Sequence, residues 1–245
     1  MEQKLIVRLA TPGDIHYAET ITKEMEESAK ARGTGIAKRS PAYIIQKMEE
    51  GKAVIAVTAD GAWVGFCYIE AWEHEKYVAN SGLIVSPAFR KTGVATEIKR
   101  KIFTLSREKY PDAKIFGLTT GLAVMKINSD LGYEPVTYSE LTTDEEFWKG
   151  CRSCVNYEIL MSKERKNCMC TAMLFDPVEA AAKQKQLELM AVSNGHDEKR
   201  HFKGNLKLFE RWVRFKQFVL LKAFGKGEVN GQGDRKKSLL GIFFW

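Results

Sequence analysis

The sequence predicts an α/β fold, a mixed sheet with helices on both faces. Two observations carry this. Strand-like and helix-like patterns alternate along the first 136 or so residues in the order β-α-α-β-β-β-α-β-α, which suits neither an all-helical nor an all-strand layer. The composition of the 245-residue chain, 44% hydrophobic and 28% charged, is that of a globular protein and not a disordered one.

Residues 4–9 read as a first strand. Thr11 then caps a helix with Pro12 in its first position and a run to about Ala31. A loop with two glycines follows, and Pro41 opens a short helix ending near Gly51. Residues 53–58 are a buried strand, Asp60-Gly61 a hairpin turn, 63–69 the returning strand, and 77–85 a third strand stopped by Pro87. Val94, Ile98, Ile102 and Leu105 recur at helical spacing, with Lys99, Arg100, Arg107 and Glu108 between them, and Pro111 stops that helix. Residues 114–120 are a strand. Residues 122–131 are a helix closed by Gly132 in the left-handed position.

The strongest local signal is the strand–loop–helix joint at residues 82–96, with Arg90-Lys91-Thr92-Gly93-Val94-Ala95 at its turn. The first N–H groups of a helix lack internal partners and its dipole favours an anion there. Gly93 and Ala95 leave room for a phosphate, and Arg90 and Lys91 add positive charge. A capped joint with a surface Arg-Lys pair is the plainer reading of the same residues.

The pattern R-x-x-G-x-A after Leu83-Ile84-Val85 and Ser86-Pro87 resembles the coenzyme A motif of the GNAT superfamily of N-acetyltransferases. The stretch ending Leu131-Gly132-Tyr133 resembles that superfamily's helix ending in Leu-Gly-Phe. The resemblance spans residues 4–136. It implies a mixed, mostly antiparallel sheet flanked by helices. It also implies a V between the strands at 77–85 and 114–120 that takes the pantetheine arm of acetyl-CoA or another acyl-CoA. Coenzyme contacts would come from Leu83, Ile84, Val85, Arg90, Lys91, Thr92, Gly93, Val94 and Ala95, with a strand N–H polarising the thioester carbonyl. The amine would attack directly, with no covalent acyl-enzyme.

The family often supplies a glutamate base from the strand matching 77–85, but that strand has no carboxylate here. Glu70, His74 and Glu75 are the nearest candidates, and Glu70 is the expected base. Many members place a tyrosine acid four residues before the glycine of Leu-Gly-Phe. Asn128 stands there, so it is expected to contact the coenzyme and not to act as an acid. The loop after the first helix lines the acceptor pocket in the family. Here it holds Arg32, Lys38 and Arg39, which suit a carboxylate-bearing small-molecule amine, an amino acid such as glutamate. A solvated basic loop is the plainer alternative. Peptide or protein acetylation, and a non-catalytic acyl-CoA-binding regulatory module, are the rival readings of the whole domain.

Cys151, Cys154, Cys168 and Cys170 form C-x-x-C, 13 intervening residues, then C-x-C. Four thiolates at such spacing suggest a structural zinc site, with free thiols or a redox pair as alternatives. Cys67 reads as a core residue. The chain divides into an acyltransferase domain at 1–148, a Cys-rich knuckle at 149–177 and a helical basic extension at 178–245.

Lys and Arg number 38 against 31 Asp and Glu, and residues 196–245 carry 12 against 5, so this tail holds the whole net charge of +7. Nucleic-acid binding by the neutral body is therefore not expected. The tail's apolar positions, among them Leu206, Phe209 and Val213, suggest packing on the domain or on a second subunit. Peripheral membrane contact is a lesser alternative. No secretory signal is read at the start, and no run approaches the roughly 18 apolar residues of a membrane span, so the expected location is the cytoplasm.

Overall fold

The computed structural model describes residues 5–31, 33 and 38–193, with side chains to residue 189. Arg32 and the basic tail at 196–245, with the oligomer and membrane contacts expected of it, lie outside the described residues. Met1–Lys185 form one unit and Gln186–Trp245 another.

Seven strands form one sheet in the order β1-β2-β3-β4-β5-β7-β6. They are β1 (Leu5–Leu9), β2 (Ala53–Thr58), β3 (Trp63–Trp72), β4 (Tyr77–Val85), β5 (Lys114–Thr119), β6 (Glu134–Val136) and β7 (Thr171–Phe175). Every neighbouring pair is antiparallel except β4 with β5, which is parallel. Alternation of side chains sorts the helices onto two faces. On one face α1 (Ala18–Ala31) and α2 (Pro41–Glu49) pack Ile21, Met25, Ile44 and Met48 against Ile55, Phe66 and Tyr68. The same face of β5 and β7 is covered by an excursion holding α5 (Glu145–Lys149) and α6 (Tyr157–Ser162). There Trp148 and Leu160 join Phe116, Ala172 and Leu174. The opposite face carries α3 (Val94–Lys109) and α4 (Leu122–Asp130). Asn80 donates to Ser106 of α3, and Phe103 of α3 meets Phe175 of β7 edge-on at 4.9 Å.

Most elements fall where the sequence places them, and the differences have physical causes. The helix expected from Pro12 starts as a 3-10 turn, Pro12–Tyr17, and becomes regular at Ala18. Asp14, buried in that turn, accepts from the Thr11 N–H at 2.8 Å and from both Arg8 guanidinium nitrogens at 2.6 and 2.8 Å, fastening the turn to β1. In the Asp60-Gly61 turn only Gly61 takes a positive φ, of 88°. Lys99, whose sequence position sits between the core-facing residues of α3, is buried, its Nζ 5.2 Å from the centre of the Tyr133 ring. Burial lowers its pKa, and the ring face offers the ammonium a partial substitute for water. The strand β7 comes from the end of the Cys-rich segment and enters the sheet between β5 and β6. Thr171-Ala172-Met173-Leu174-Phe175 is the short apolar run that signals it. Among the described residues no helix is long and apolar enough to cross a membrane.

The Arg8 guanidinium, with help from Thr11, holds the Asp14 carboxyl down to about 2. A depressed carboxylate contributes stability that is fully present above its ordinary pKa and lost as pH falls through the folded value. Asp14→Asn is therefore expected to cost on the order of 2 kcal/mol near neutrality. Chemical denaturation at a series of pH values should show that cost shrinking between about pH 4 and pH 2.

Candidate active site

The site begins where the sheet comes apart. Parallel pairing of β4 with β5 runs only from Tyr77–Lys114 to Ala79–Phe116. Beyond it, Gly117 to Thr119 of β5 stay paired with β7 while β4 continues along β3, so a V opens between them. This is the geometry that the GNAT resemblance implies. A bulge in β4 aids the parting: Phe66 faces Ile84 and Tyr68 faces Ser81, so Cys67 stands opposite both Gly82 and Leu83. Gly82 has φ of 65°, and a Cβ there would lie 2.3 Å from Tyr68 Cε1 and 2.8 Å from Met25 Cε. Only glycine fits, and the bulge turns Leu83, Ile84 and Val85 along the side of the V. The sequence signal for it was a glycine inside a strand.

On the α3–α4 side, Asn128 lies beside the V. It is 1% exposed, its Nδ2 stands 3.8 Å from Met173 Sδ, and its Oδ1 has no hydrogen-bond partner. Gly117 of β5 approaches it closely, a Cβ there standing 3.8 Å from Asn128 Nδ2, and the unpartnered Oδ1 is an acceptor for an N–H donor. Thr92, Gly93, Val94 and Ala95 form the turn into α3. Gly93 caps the helix at φ of 89°, and a Cβ on it would meet nothing within 4 Å. The free space in front of the first helical N–H groups fits a phosphate. Lys91 is exposed, also at positive φ. Arg90 is turned away from the cradle: it donates to the Val85 carbonyl at 3.2 Å, to Glu24 at 2.9 Å and to Ser28 at 2.7 Å, tying the loop to α1. The orphaned Asn128 oxygen, the open turn at Gly93 and the parted strands together fit an acyl-CoA.

On the α1–α2 side lies a cleft of about 480 Å³ lined by Glu19, Thr22, Lys23, Met25, Glu26, Lys38, Arg39 and Pro41. Arg39, expected to meet the acceptor, is among its lining residues and contacts the expected base. The Arg39 Nη2 donates to Glu70 Oε1 at 2.9 Å, and its Nε donates to the Tyr68 hydroxyl at 3.1 Å. The Tyr43 hydroxyl donates to the same Glu70 oxygen at 2.5 Å. Glu70 is 5% exposed and pairs with Ala79, the last β4 residue joined to β5. Burial and the Glu70 carboxylate push the Tyr43 phenol well above its ordinary pKa, so it stays a donor; Tyr68 is raised for the same two reasons. Burial opposes the charge of Arg39, but Tyr68, Glu70 and Tyr43 outweigh it and leave its pKa raised. Tyr43 and Tyr68 were not singled out in sequence, where they read as helix and strand core. His74 and Glu75 are exposed in the left-handed β3–β4 turn. Neighbouring Glu73 accepts from Thr142 and Thr143 and so anchors the start of the excursion.

The excursion borders this cleft, for Ser153 Oγ accepts from the Lys38 N–H at 3.2 Å. Cys151, Cys154, Cys168 and Cys170 line one cavity with Leu118, Tyr138 and Tyr157. The expectation of a zinc site is corrected here. Among the described residues no group of three or more His, Cys, Asp or Glu side chains could hold a metal ion. The four cysteines line the same cavity without forming a ligand set: Cys151 and Cys154 lie in and just after a 3-10 turn, while Cys168 and Cys170 lie in the irregular stretch leading into β7. None of the five cysteines is in a disulfide. Burial, with Cys154 and Cys168 nearby, pushes the Cys151 thiol up to about 11, and burial does the same to Cys67.

Residues 22–123 match the acetyltransferase (GNAT) family. Over that span the chain thus carries an acetyltransferase domain of the GNAT superfamily. No curated protein matches the chain in sequence. Among solved structures it is similar to N-acetylglutamate synthase from Neisseria gonorrhoeae complexed with coenzyme A and N-acetyl-glutamate. That likeness is 18% identity over 72% of this chain and 36% of that one, with a TM-score of 0.50. It is also similar to a Mycobacterium tuberculosis protein in complex with coenzyme A, at 16% identity over 70% and 98% of the two chains and a TM-score of 0.49. A GNAT superfamily phosphinothricin acetyltransferase from Sinorhizobium meliloti in complex with acetyl-CoA gives 16% identity over 70% and 88%, with a TM-score of 0.47. At these identities the likeness concerns the fold, and this chain spans about a third of the first protein's length.

Two glycine substitutions separate the roles of the V and the cradle. Gly82→Ala is expected to lower stability by about 1–3 kcal/mol through overpacking and positive-φ strain. Gly93→Ala should cost about 1 kcal/mol in stability, since only φ opposes it, yet weaken acetyl-CoA binding at least tenfold in calorimetric titration. Alkylation with iodoacetamide at pH 8, followed by peptide mass spectrometry, should label Cys67 and Cys151 slowly, because burial raises their thiols and reduces their thiolate.

Proposed function

We propose that the protein transfers an acetyl or other short acyl group from coenzyme A to the primary amine of a small acceptor that carries a carboxylate, an amino acid such as glutamate. The observation that carries this reading is the placement of Arg39 and Glu70, a cation lining the acceptor-side cleft and a carboxylate at the edge of the V, in contact with each other. Thr92, Gly93, Val94 and Ala95 would hold the pyrophosphate through backbone N–H groups, and Lys91 would add charge. Leu83, Ile84 and Val85 would pair with the pantetheine, and Asn128 would accept from one of its amides. Arg90 would keep the loop in register through α1 without touching the phosphates.

Glu70 is the base in this reading. Both of its hydrogen bonds fall on Oε1, leaving Oε2 for the amine. The N–C bond forms as the C–S bond breaks. Of the two protons that an ammonium acceptor sheds, one leaves through Glu70 to solvent and the other ends on the departing thiolate. Asn128 cannot supply that second proton, so solvent does.

Single-turnover transfer from acetyl-, propionyl- and succinyl-CoA against a panel of amino acids, their amides and short peptides tests this. The expected result is fastest transfer to a free amino acid, slowed at least a hundredfold by Glu70→Gln. Preference for peptides would favour protein acetylation, and tight acetyl-CoA binding with no amine acylated would favour a regulatory module.

A further inference from the structure

Arg39 occupies a position that neither a simple substrate clamp nor a simple structural ion pair requires. Its guanidinium spends Nε on Tyr68, one Nη2 hydrogen on Glu70 and Nη1 on the Lys38 carbonyl at 3.4 Å. A guanidinium has five N–H donors, so two are left. Arg39 is also one of the residues lining the cleft, its side chain 19% exposed. Tyr43 lies beneath it, the ring centre 4.9 Å from Arg39 Cζ, and its hydroxyl fixes the same Glu70 oxygen. The group is cross-braced: Tyr43 comes from α2, Tyr68 and Glu70 from β3, and Arg39 from the segment joining α1 to α2.

We infer that Arg39 is shared between acceptor and base: one guanidinium takes the acceptor's carboxylate on its free edge and, with Tyr43, holds Glu70 so that Oε2 faces the amine. This deepens the acyl-transfer reading and rests on it. Recognition and proton removal are then coupled. An amine lacking a carboxylate loses affinity, and it also loses rate, because nothing sets its nitrogen at a fixed distance from Glu70. Glu70 and Arg39 are positioned by each other before the acceptor arrives, so the buried carboxylate is never left without a partner. Tyr43 acts as a positioning residue through Glu70 and does not touch the acceptor.

The test uses the full chain and steady-state kinetics with the best amino acid from the panel and its carboxamide. For the wild type, KM should rise roughly 10- to 100-fold for the carboxamide, the range set by one charge-assisted hydrogen-bond pair, and kcat should fall as well. Arg39→Gln should abolish that discrimination and lower kcat together, with added guanidinium restoring part of both. Tyr43→Phe should lower kcat and move the acid limb of the kcat profile while leaving the carboxamide discrimination intact. Acetyl-CoA affinity, unchanged in both variants, verifies that they fold. An Arg39→Gln enzyme that loses discrimination at unaltered kcat and pH profile would overturn the coupling, as would one that loses kcat with discrimination retained. A wild type that acylates amines without regard to a carboxylate overturns this inference and the carboxylate-bearing acceptor while leaving acyl transfer standing, whereas a wild type that acylates no amine overturns the acyl-transfer reading beneath it.

Discussion

Everything in the site follows from three pairs of parallel hydrogen-bonding residues. β4 and β5 hold together from Tyr77 to Ala79 and then part, and the left-handed Gly82 bulge gives β4 a bend it could not otherwise take. Strands that separate leave backbone groups unpaired, which is costly in a buried sheet unless a ligand or water takes them. The V is therefore both a gap in the sheet and a preformed set of polar contacts. On one side it leads to Asn128 and the first turn of α3, and on the other to Glu70 and the cleft under α1. In the proposed reading donor and acceptor would approach from opposite faces, which suits direct transfer.

The acceptor side is built from charge that the core would not tolerate in isolation. Glu70 is 5% exposed, yet it accepts from both Arg39 and Tyr43, while Arg39 leans on Tyr43 and Tyr68. Removing one member strands another in a place of low polarity, so the network resists drift and keeps the carboxylate aimed. The excursion between β6 and β7 closes the other border of this region. Its contact with the joining segment, through Ser153 and Lys38, ties a cysteine-lined cavity to the acceptor cleft.

Local patterns made the coenzyme half of the site readable. Strand, Ser86-Pro87, Gly93 and the α3 periodicity are contiguous, so the anion cradle is a property of about fifteen successive residues. The acceptor half is assembled from Arg39, Tyr43, Tyr68 and Glu70 on different elements, and no local pattern links them. Arg39 and Glu70 were each visible as candidates, but their bond was not, nor were the two tyrosines that complete it. Arg90 shows the converse. Its motif position suggested a phosphate contact, and only the nearness of α1, with Glu24 and Ser28, turns it away.

By itself the sequence determined the order of elements, the left-handed Gly132 and the open helix N-terminus at Gly93, because short-range sterics and hydrogen bonding fix these. The tertiary structure decided what depends on separation across the chain. It put β7 between β5 and β6, buried Lys99 against Tyr133, and joined Arg39 to Glu70. It also gathered four cysteines around one cavity that, among the described residues, is no metal site. Spacing along a chain limits which side chains can meet, but only the packing of strand and helix directions sets whether their reactive atoms do.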